Sequence, residues 1–310
     1  MKHTTSEPSG HPQYEQLQKA ILERIPIHEA FLVSAYGQLS AAERSELDNY
    51  IAFCRGDGIR LDALADAYAT IVTDTLREQS HFIRFGRYRY SKYAEVANSV
   101  YHDPRYMARY MYGLALTSFL WPNHSAMRQF FLKTLPLDRS GRYLEIGPGH
   151  GYYFTLAVKG SSFTSFTGID ISQTSIDLTA RILRHQAYGV DDRITLLCGD
   201  FLSTANLVGP FQAIVAGEVL EHVENPDLFL ARISSLSDAS SFIFLTTCIN
   251  APMVDHIYLF RSTEEIEDLA RGAGLVAKAR YLAPYVGKTA EECERDRMPV
   301  NVAYVFARAE

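Results

Sequence analysis

The chain has 310 residues, 47% of them hydrophobic and 21% charged, which is ample for one large packed domain or two smaller ones. A net charge of -6 and a pI of about 5.9 argue against a general nucleic-acid binder, which needs a basic face to neutralise phosphates. No apolar run approaches the roughly 20 residues of a membrane span, the N-terminus lacks a signal-peptide core, and Cys54, Cys198, Cys248 and Cys293 show no C-x-x-C spacing, so a reducing, cytoplasmic setting is expected.

Residues 1–12 are polar and read as a mobile tail. From Tyr14 to Ala35 the pattern is helical, with Leu17, Ile21, Ile25 and Ile27 at near three- to four-residue spacing and an interruption at Pro26. Ser40 and Glu43 form a capping box that opens a helix carrying Leu47, Tyr50, Ile51 and Phe53, broken at Gly56-Asp57-Gly58. Another helix is expected from Arg60 to Glu78, with Leu61, Leu64, Tyr68, Ile71, Val72 and Leu76 among its apolar positions. Residues 82–131 are rich in aromatic side chains. These can pack a helical unit onto a neighbouring sheet, and tyrosines and tryptophan also bind planar organic ligands. The single tryptophan lies in Trp121-Pro122-Asn123-His124, a bend between helices that is expected to face a pocket.

Beyond the linker Pro136 to Arg142 the pattern changes. Tyr143-Leu144-Glu145-Ile146 reads as the end of a buried strand, Gly147, Gly149 and Gly151 alternate after it, and Tyr152 to Val158 reads as a helix. Strand, glycine turn and helix open a nucleotide-binding βαβ unit. A second strand, Ser162 to Ile169, ends in Asp170, 19 residues beyond Gly151, where a carboxylate meets ribose hydroxyls in this architecture. A helix follows from Ser172 to Gln186. Ile194–Cys198, Phe211–Ala216 and Ser241–Thr247 read as further strands. Pro226 starts a helix with Leu228, Phe229 and Ile233 inward, and Ser262 caps another from Glu264 to Ala273. Leu275 to Tyr281 and Val300 to Ala307 read as a closing antiparallel pair, with a loop or short helix over 284–298.

Glu145-Ile146-Gly147-Pro148-Gly149-His150-Gly151, Gly168-Ile169-Asp170, Gly199-Asp200-Phe201 and Glu218-Val219-Leu220-Glu221-His222 resemble, in order and spacing, class I S-adenosylmethionine-dependent methyltransferases of the small-molecule type. The resemblance implies an α/β fold: a seven-stranded Rossmann-like sheet preceded by an N-terminal helical lid and substrate unit. It divides the chain into a tail, 1–12, a helical lid and acceptor unit, 13–135, and a cofactor domain, 136–310. It also implies a cofactor site at Glu145, Gly147, Gly149, Gly151, Asp170, Ile171, Asp200, Phe201 and Glu218. There Asp170 would take the ribose hydroxyls, and Asp200 and Phe201 would flank the adenine.

The Glu218-to-His222 pattern with a later histidine, His256, is also similar to ubiquinone-pathway O-methyltransferases and small-RNA 2′-O-methyltransferases. By that resemblance Glu218, Glu221, His222 and His256 would hold a divalent metal that lowers the pKa of an acceptor oxygen. A metal-free alternative makes His222 or His256 the general base. The candidate bases favour O- or C-methylation of a small aromatic or apolar acceptor, in secondary metabolism. Nucleic-acid and membrane partners are not expected, and the helical unit could serve a homodimer. The competing readings are a tRNA or small-RNA methyltransferase, a nicotinamide oxidoreductase, disfavoured by Glu145 and the glycine spacing, and a non-catalytic cofactor- or partner-binding protein.

Overall fold

The computed structural model describes residues 11–185 and 192–309. Seven helices come first: α1 (Pro12–Arg24), α2 (Glu29–Gln38), α3 (Ala41–Gly56), α4 (Leu61–Phe85), α5 (Tyr93–Val96), α6 (Pro104–Leu120) and α7 (Pro122–Thr134). Strands and helices then alternate: β1 (Arg142–Ile146), α8 (Tyr152–Gly160), β2 (Ser165–Asp170), α9 (Gln173–Leu183), β3 (Ile194–Cys198), β4 (Ala213–Gly217), α10 (Pro226–Ser235), β5 (Phe242–Ile249), α11 (Thr263–Gly272), β6 (Leu275–Pro284), α12 (Ala290–Asp296) and β7 (Val300–Arg308).

The strands form one seven-stranded sheet of order β3-β2-β1-β4-β5-β7-β6. All neighbours are parallel except β7, which runs antiparallel to β5 and β6. β5 is buried along its whole length, as a continuous Phe-Ile-Phe-Leu run requires when helices cover both faces of a sheet. One apolar cluster unites the N-terminal helices with one face of the sheet through Phe154, Phe166, Val215 and Phe244; a second fills the other face around Ile146, Ile214 and Phe229. The order reverses between β1 and β4, so the crevice at the strand C-termini falls there.

Most expected elements form, with instructive differences. The capping box at Ser40 is complete: its hydroxyl accepts from Glu43 N–H and the Glu43 carboxylate accepts from Ser40 N–H. Helix α4 continues seven residues beyond Glu78, to Phe85, because Phe82 extends its buried face; Gly86 ends it with φ 65°. Ile27, Leu76 and Leu228 are exposed, at 83%, 58% and 55%. Ile27 lies in the short 3-10 turn after α1, off the α-helical stripe, and the inward face of α10 is formed by Phe229, Leu230 and Ile233. Of the expected tail, residues 1–10 lie outside the described residues and Pro12 opens α1; Gln186, the expected end of α9, also lies outside them. Trp121 separates α6 from α7, with Pro122 at the first turn of α7, where its missing N–H is harmless. No described helix is long and apolar enough to cross a membrane.

Candidate active site

A cavity of about 1030 Å³ opens between the N-terminal helices and the C-terminal ends of the strands. That is the upper end of the range for ligand sites, roughly 300–1,000 Å³. Glu145, Gly147, Gly149, Asp170, Ile171, Asp200, Phe201, Glu218, His222 and His256 all line it. So do Trp121, Asn123 and His124 of the predicted bend.

The glycine turn is shaped by left-handed backbone. Gly149 has φ 57°, and a Cβ there would stand 3.2 Å from Met111 Sδ. Its N–H donates to Asp170 Oδ2 at 3.0 Å, while Ser172 N–H donates to Oδ1 at 2.8 Å. The carboxylate at the end of β2 therefore braces the turn after β1. Burial pushes Asp170 up to about 6, against the two N–H donors, which favour the ionised form. Gly151, expected beside the ligand, is not in the lining. At φ 77° its Cβ would meet Thr179 Cα at 2.8 Å, so its missing side chain serves the packing of α8 on α9. Glu145 is buried, accepts from the Tyr143 hydroxyl, and is pushed up to about 8 by desolvation.

Glu218 follows β4 at φ 52°, a conformation costly for a residue with a Cβ. Its N–H is held by Thr246 Oγ1 at 2.9 Å, and Oε2 accepts from Asn301 Nδ2 at 3.0 Å. Asn301 in turn accepts from Asn123 Nδ2 at 2.7 Å, which ties α7 to β7 across the cavity. Burial, then the Glu221 carboxylate, raise Glu218 well above the usual carboxylate range.

His222 sits in the 3-10 turn Leu220–His222 after β4. Its Nδ1–H donates to the Asp255 carbonyl at 3.0 Å, and Asp255 Oδ2 lies 3.5 Å from the same nitrogen. Asp255 is itself buried and receives two hydroxyls, Tyr110 to Oδ1 at 2.9 Å and Tyr101 to Oδ2 at 3.2 Å. Burial opposes protonation of His222, but the carboxylates of Asp255 and then Glu221 outweigh it and raise its proton affinity. Asp170 adds to this rise, and His222 in turn favours the ionised form of Asp170, so the two ends of the site feel each other electrostatically. His256 lies edge-on to His222, with ring centres 4.8 Å apart. Its Nδ1–H donates to the Ala251 carbonyl at 2.6 Å, and burial followed by the charge of His222 lowers its affinity, so it stays neutral.

The four expected metal ligands are not gathered as one set. Glu218 stands outside the two groups whose donor atoms lie within 4.8 Å of one another: Glu221, Cys248 and His256, and His222, Asp255 and His256. Glu221 is buried off the cavity lining, with Oε2 taken by the Thr247 hydroxyl at 2.8 Å. Both histidines have Nδ1 committed to carbonyls, and burial together with Glu221 keeps the Cys248 thiol protonated. As folded this is a closed hydrogen-bonded cluster, a poor fit to a cation that needs open coordination positions.

Asp255, Tyr101, Tyr110 and Asn301 escape a reading of spacing. Asp255 carries one local signal, its position beside His256 after a strand. The tyrosines reach it across 154 and 145 residues of chain, which no periodicity reports.

A doubly wound sheet with a glycine turn, an acidic residue ending β2 and a cavity at the strand C-termini defines an α/β enzyme of the nucleotide-cofactor class. Residues 122–280, half of the chain, match the family model of the methyltransferase domain. The chain belongs to that family; it is a class I S-adenosylmethionine-dependent methyltransferase. Mouse EEF1A lysine methyltransferase 2 is 30% identical over 122 residues, covering 37% of this chain and 48% of that protein. The chain thus matches about half the length of this curated relative. Two solved structures share the fold: the mitomycin 7-O-methyltransferase MmcR, at 14% identity and TM-score 0.56 over 80% of this chain and 72% of that one, and Haemonchus contortus phosphoethanolamine N-methyltransferase 2 in complex with S-adenosyl-L-methionine, at 13% identity and TM-score 0.53 over 71% and 60%.

Proposed function

We propose that this methyltransferase methylates a hydroxyl of a small, apolar organic acceptor in secondary metabolism, with residues 136–310 holding the cofactor and 13–135 forming the lid and acceptor unit. Bound S-adenosylmethionine supplies a methyl group on a sulfonium centre, which leaves as a neutral thioether. The cavity suits that group: among the described residues it is lined by carboxylates and by no lysine or arginine, which fits a cofactor of net positive charge. Asp170 keeps lone pairs beyond its two backbone bonds for the ribose hydroxyls, and Asp200 and Phe201 would flank the adenine. Gly147, Gly149, Ile171, Glu145 and Glu218 would form the remaining wall.

An in-line displacement asks the protein mainly for alignment and exclusion of water. A hydroxyl acceptor also needs its proton removed. We assign that role to His222, which lines the cavity. Its Nδ1–H is pinned on Asp255, so Nε2 is the atom that takes the proton, and the neighbouring carboxylates strengthen it as a base. The observation that carries the reading is this His222–Asp255 pair, clamped by Tyr101 and Tyr110 on the wall of the same cavity as Asp170. His256 would keep the neighbouring ring in place. A lining with no lysine or arginine among the described residues weighs against RNA and phosphorylated acceptors, whose phosphates would lack a permanently charged partner.

The name of the mouse relative raises a lysine amine as the alternative acceptor, but an amine can react without a base. The test is formation of S-adenosylhomocysteine from neutral phenols and from amine-bearing peptides, in the wild type and in His222→Asn. Turnover of phenols that falls at least a hundredfold in the variant supports hydroxyl methylation. Turnover of amines alone, unchanged in the variant, sinks it.

A further inference from the structure

We infer that the acceptor end of the cavity takes an uncharged, flat, apolar molecule bearing a carbonyl oxygen, which accepts a hydrogen bond from the Nε2–H of His28. This deepens the proposed function and rests on its acceptor half. The argument follows one buried hydroxyl. Trp121 Nε1, which can only donate, gives its hydrogen to the Tyr68 oxygen at 3.2 Å. Tyr68 has a single hydroxyl proton, and His28 Nδ1 stands 3.3 Å from the same oxygen. Among the described residues these are the two hydrogen-bond partners of the hydroxyl, so we assign that proton to Nδ1, the arrangement that leaves no buried donor unpaired. A neutral imidazole carries one N–H, so the hydrogen of His28 lies on Nε2. Burial lowers the proton affinity of His28, in keeping with the neutral ring.

Tyr68 is fully buried, which fixes the middle of this relay, while both of its ends, His28 and Trp121, line the cavity. The surrounding wall is apolar and adaptable. Four of the chain's six methionines, Met107, Met111, Met127 and Met253, line the cavity, and thioethers pack well on aromatic rings. With no lysine or arginine among the described lining residues, an anionic oxygen would be desolvated without a permanent countercharge. A neutral donor facing an apolar space lined by no lysine or arginine among the described residues selects a neutral acceptor oxygen.

Trp121 is the only tryptophan, so its fluorescence reports this end of the cavity directly. The full chain, with S-adenosylhomocysteine added, is titrated with 6-hydroxyflavone, an uncharged planar ketone, and with 6-phenyl-2-naphthol, a flat aromatic phenol of similar size without the carbonyl. The expected result is a five- to tenfold tighter quenching curve for the ketone, the worth of roughly one neutral hydrogen bond. The preference should vanish in His28→Phe and shrink in Tyr68→Phe, while calorimetry shows unchanged S-adenosylhomocysteine affinity and thermal melts show folded protein. Equal affinity for the two probes, a preference that survives His28→Phe, or no quenching by either overturns the inference. None of these outcomes depends on turnover, so they leave the methyl-transfer reading to be judged by its own assay.

Discussion

Asp170→Ala is the perturbation that tests the cofactor half most directly. The carboxylate is 8% exposed, takes N–H bonds from Gly149 and Ser172, and faces the cavity where a ribose would lie. A hydrogen bond to a charged group is worth about 1.5–3 kcal/mol, so two ribose hydroxyls would lose about 3–6 kcal/mol of binding. At the lower figure S-adenosylhomocysteine affinity falls about 150-fold. Asp170→Asn keeps one acceptor oxygen and turns an amide N–H toward a backbone N–H, so its loss should be smaller, roughly tenfold. Protonation does the same work in the wild type. Because burial raises Asp170 to about 6, affinity should decline as pH falls through that value and hold steady above it. Isothermal calorimetry from pH 5 to 8 reads all three. An Asp170→Ala affinity within threefold of wild type, in a protein that still melts cooperatively, refutes the assignment of Asp170 to the cofactor.

Asp255→Asn removes the charge that chiefly opposes burial at His222, so the acidic limb of kcat/KM should move to lower pH; phenol turnover at pH 7 should drop about a hundredfold or more, with S-adenosylhomocysteine affinity unchanged. Gly151→Ala forces a Cβ at φ 77° to within 2.8 Å of Thr179 Cα, and should cost about 1–3 kcal/mol in a denaturant titration while leaving cofactor affinity of the folded protein intact, since Gly151 is off the cavity lining. His124 and His150 are lowered to about 4 by burial, so each makes a contribution that is present above about 6.5 and lost as pH falls toward 4. The full shift corresponds to about 3 kcal/mol per ring, roughly halved because both rings meet cavity water. Glu145, raised to about 8, and Asp170, raised to about 6, act in the opposite sense, so the readout is the difference in urea midpoint between wild type and His124→Gln at pH 7 and pH 4.5.

The sheet was legible because its signals are local. Gly147, Gly149 and Asp170 announce their turns by spacing, and the apolar run of β5 needs no partner to be read. Where local spacing misled, tertiary packing explains it. Leu228 fits a helical stripe yet faces solvent, since α10 turns Phe229 and Leu230 to the sheet instead. Gly151 fits the glycine pattern yet serves a helix contact. The Glu218–Glu221–His222 motif predicted one ligand set, but the residue after β4 and two in the following 3-10 turn point to different neighbours: Glu218 to Asn301, Glu221 to Thr247, His222 to Asp255.

The acceptor side was the least legible, and the reason bears on how the enzyme works. Asp170, Asp200 and the glycine turn all come from the sheet and its loops, so the proposed cofactor half is complete without the first seven helices. The proposed base is not. His222 and Asp255 come from the loops after β4 and β5, but the hydroxyls that hold Asp255 come from Tyr101 and from Tyr110 of α6. His28, Tyr68 and Trp121 likewise belong to the helical part. Undocking those helices would leave the Asp255 carboxylate without its two donors and would open the cavity to water, both of which weaken its grip on His222. On this reading the helices that recognise the acceptor are the same ones that make the base effective, so methyl transfer and acceptor fit are coupled through two tyrosine hydroxyls.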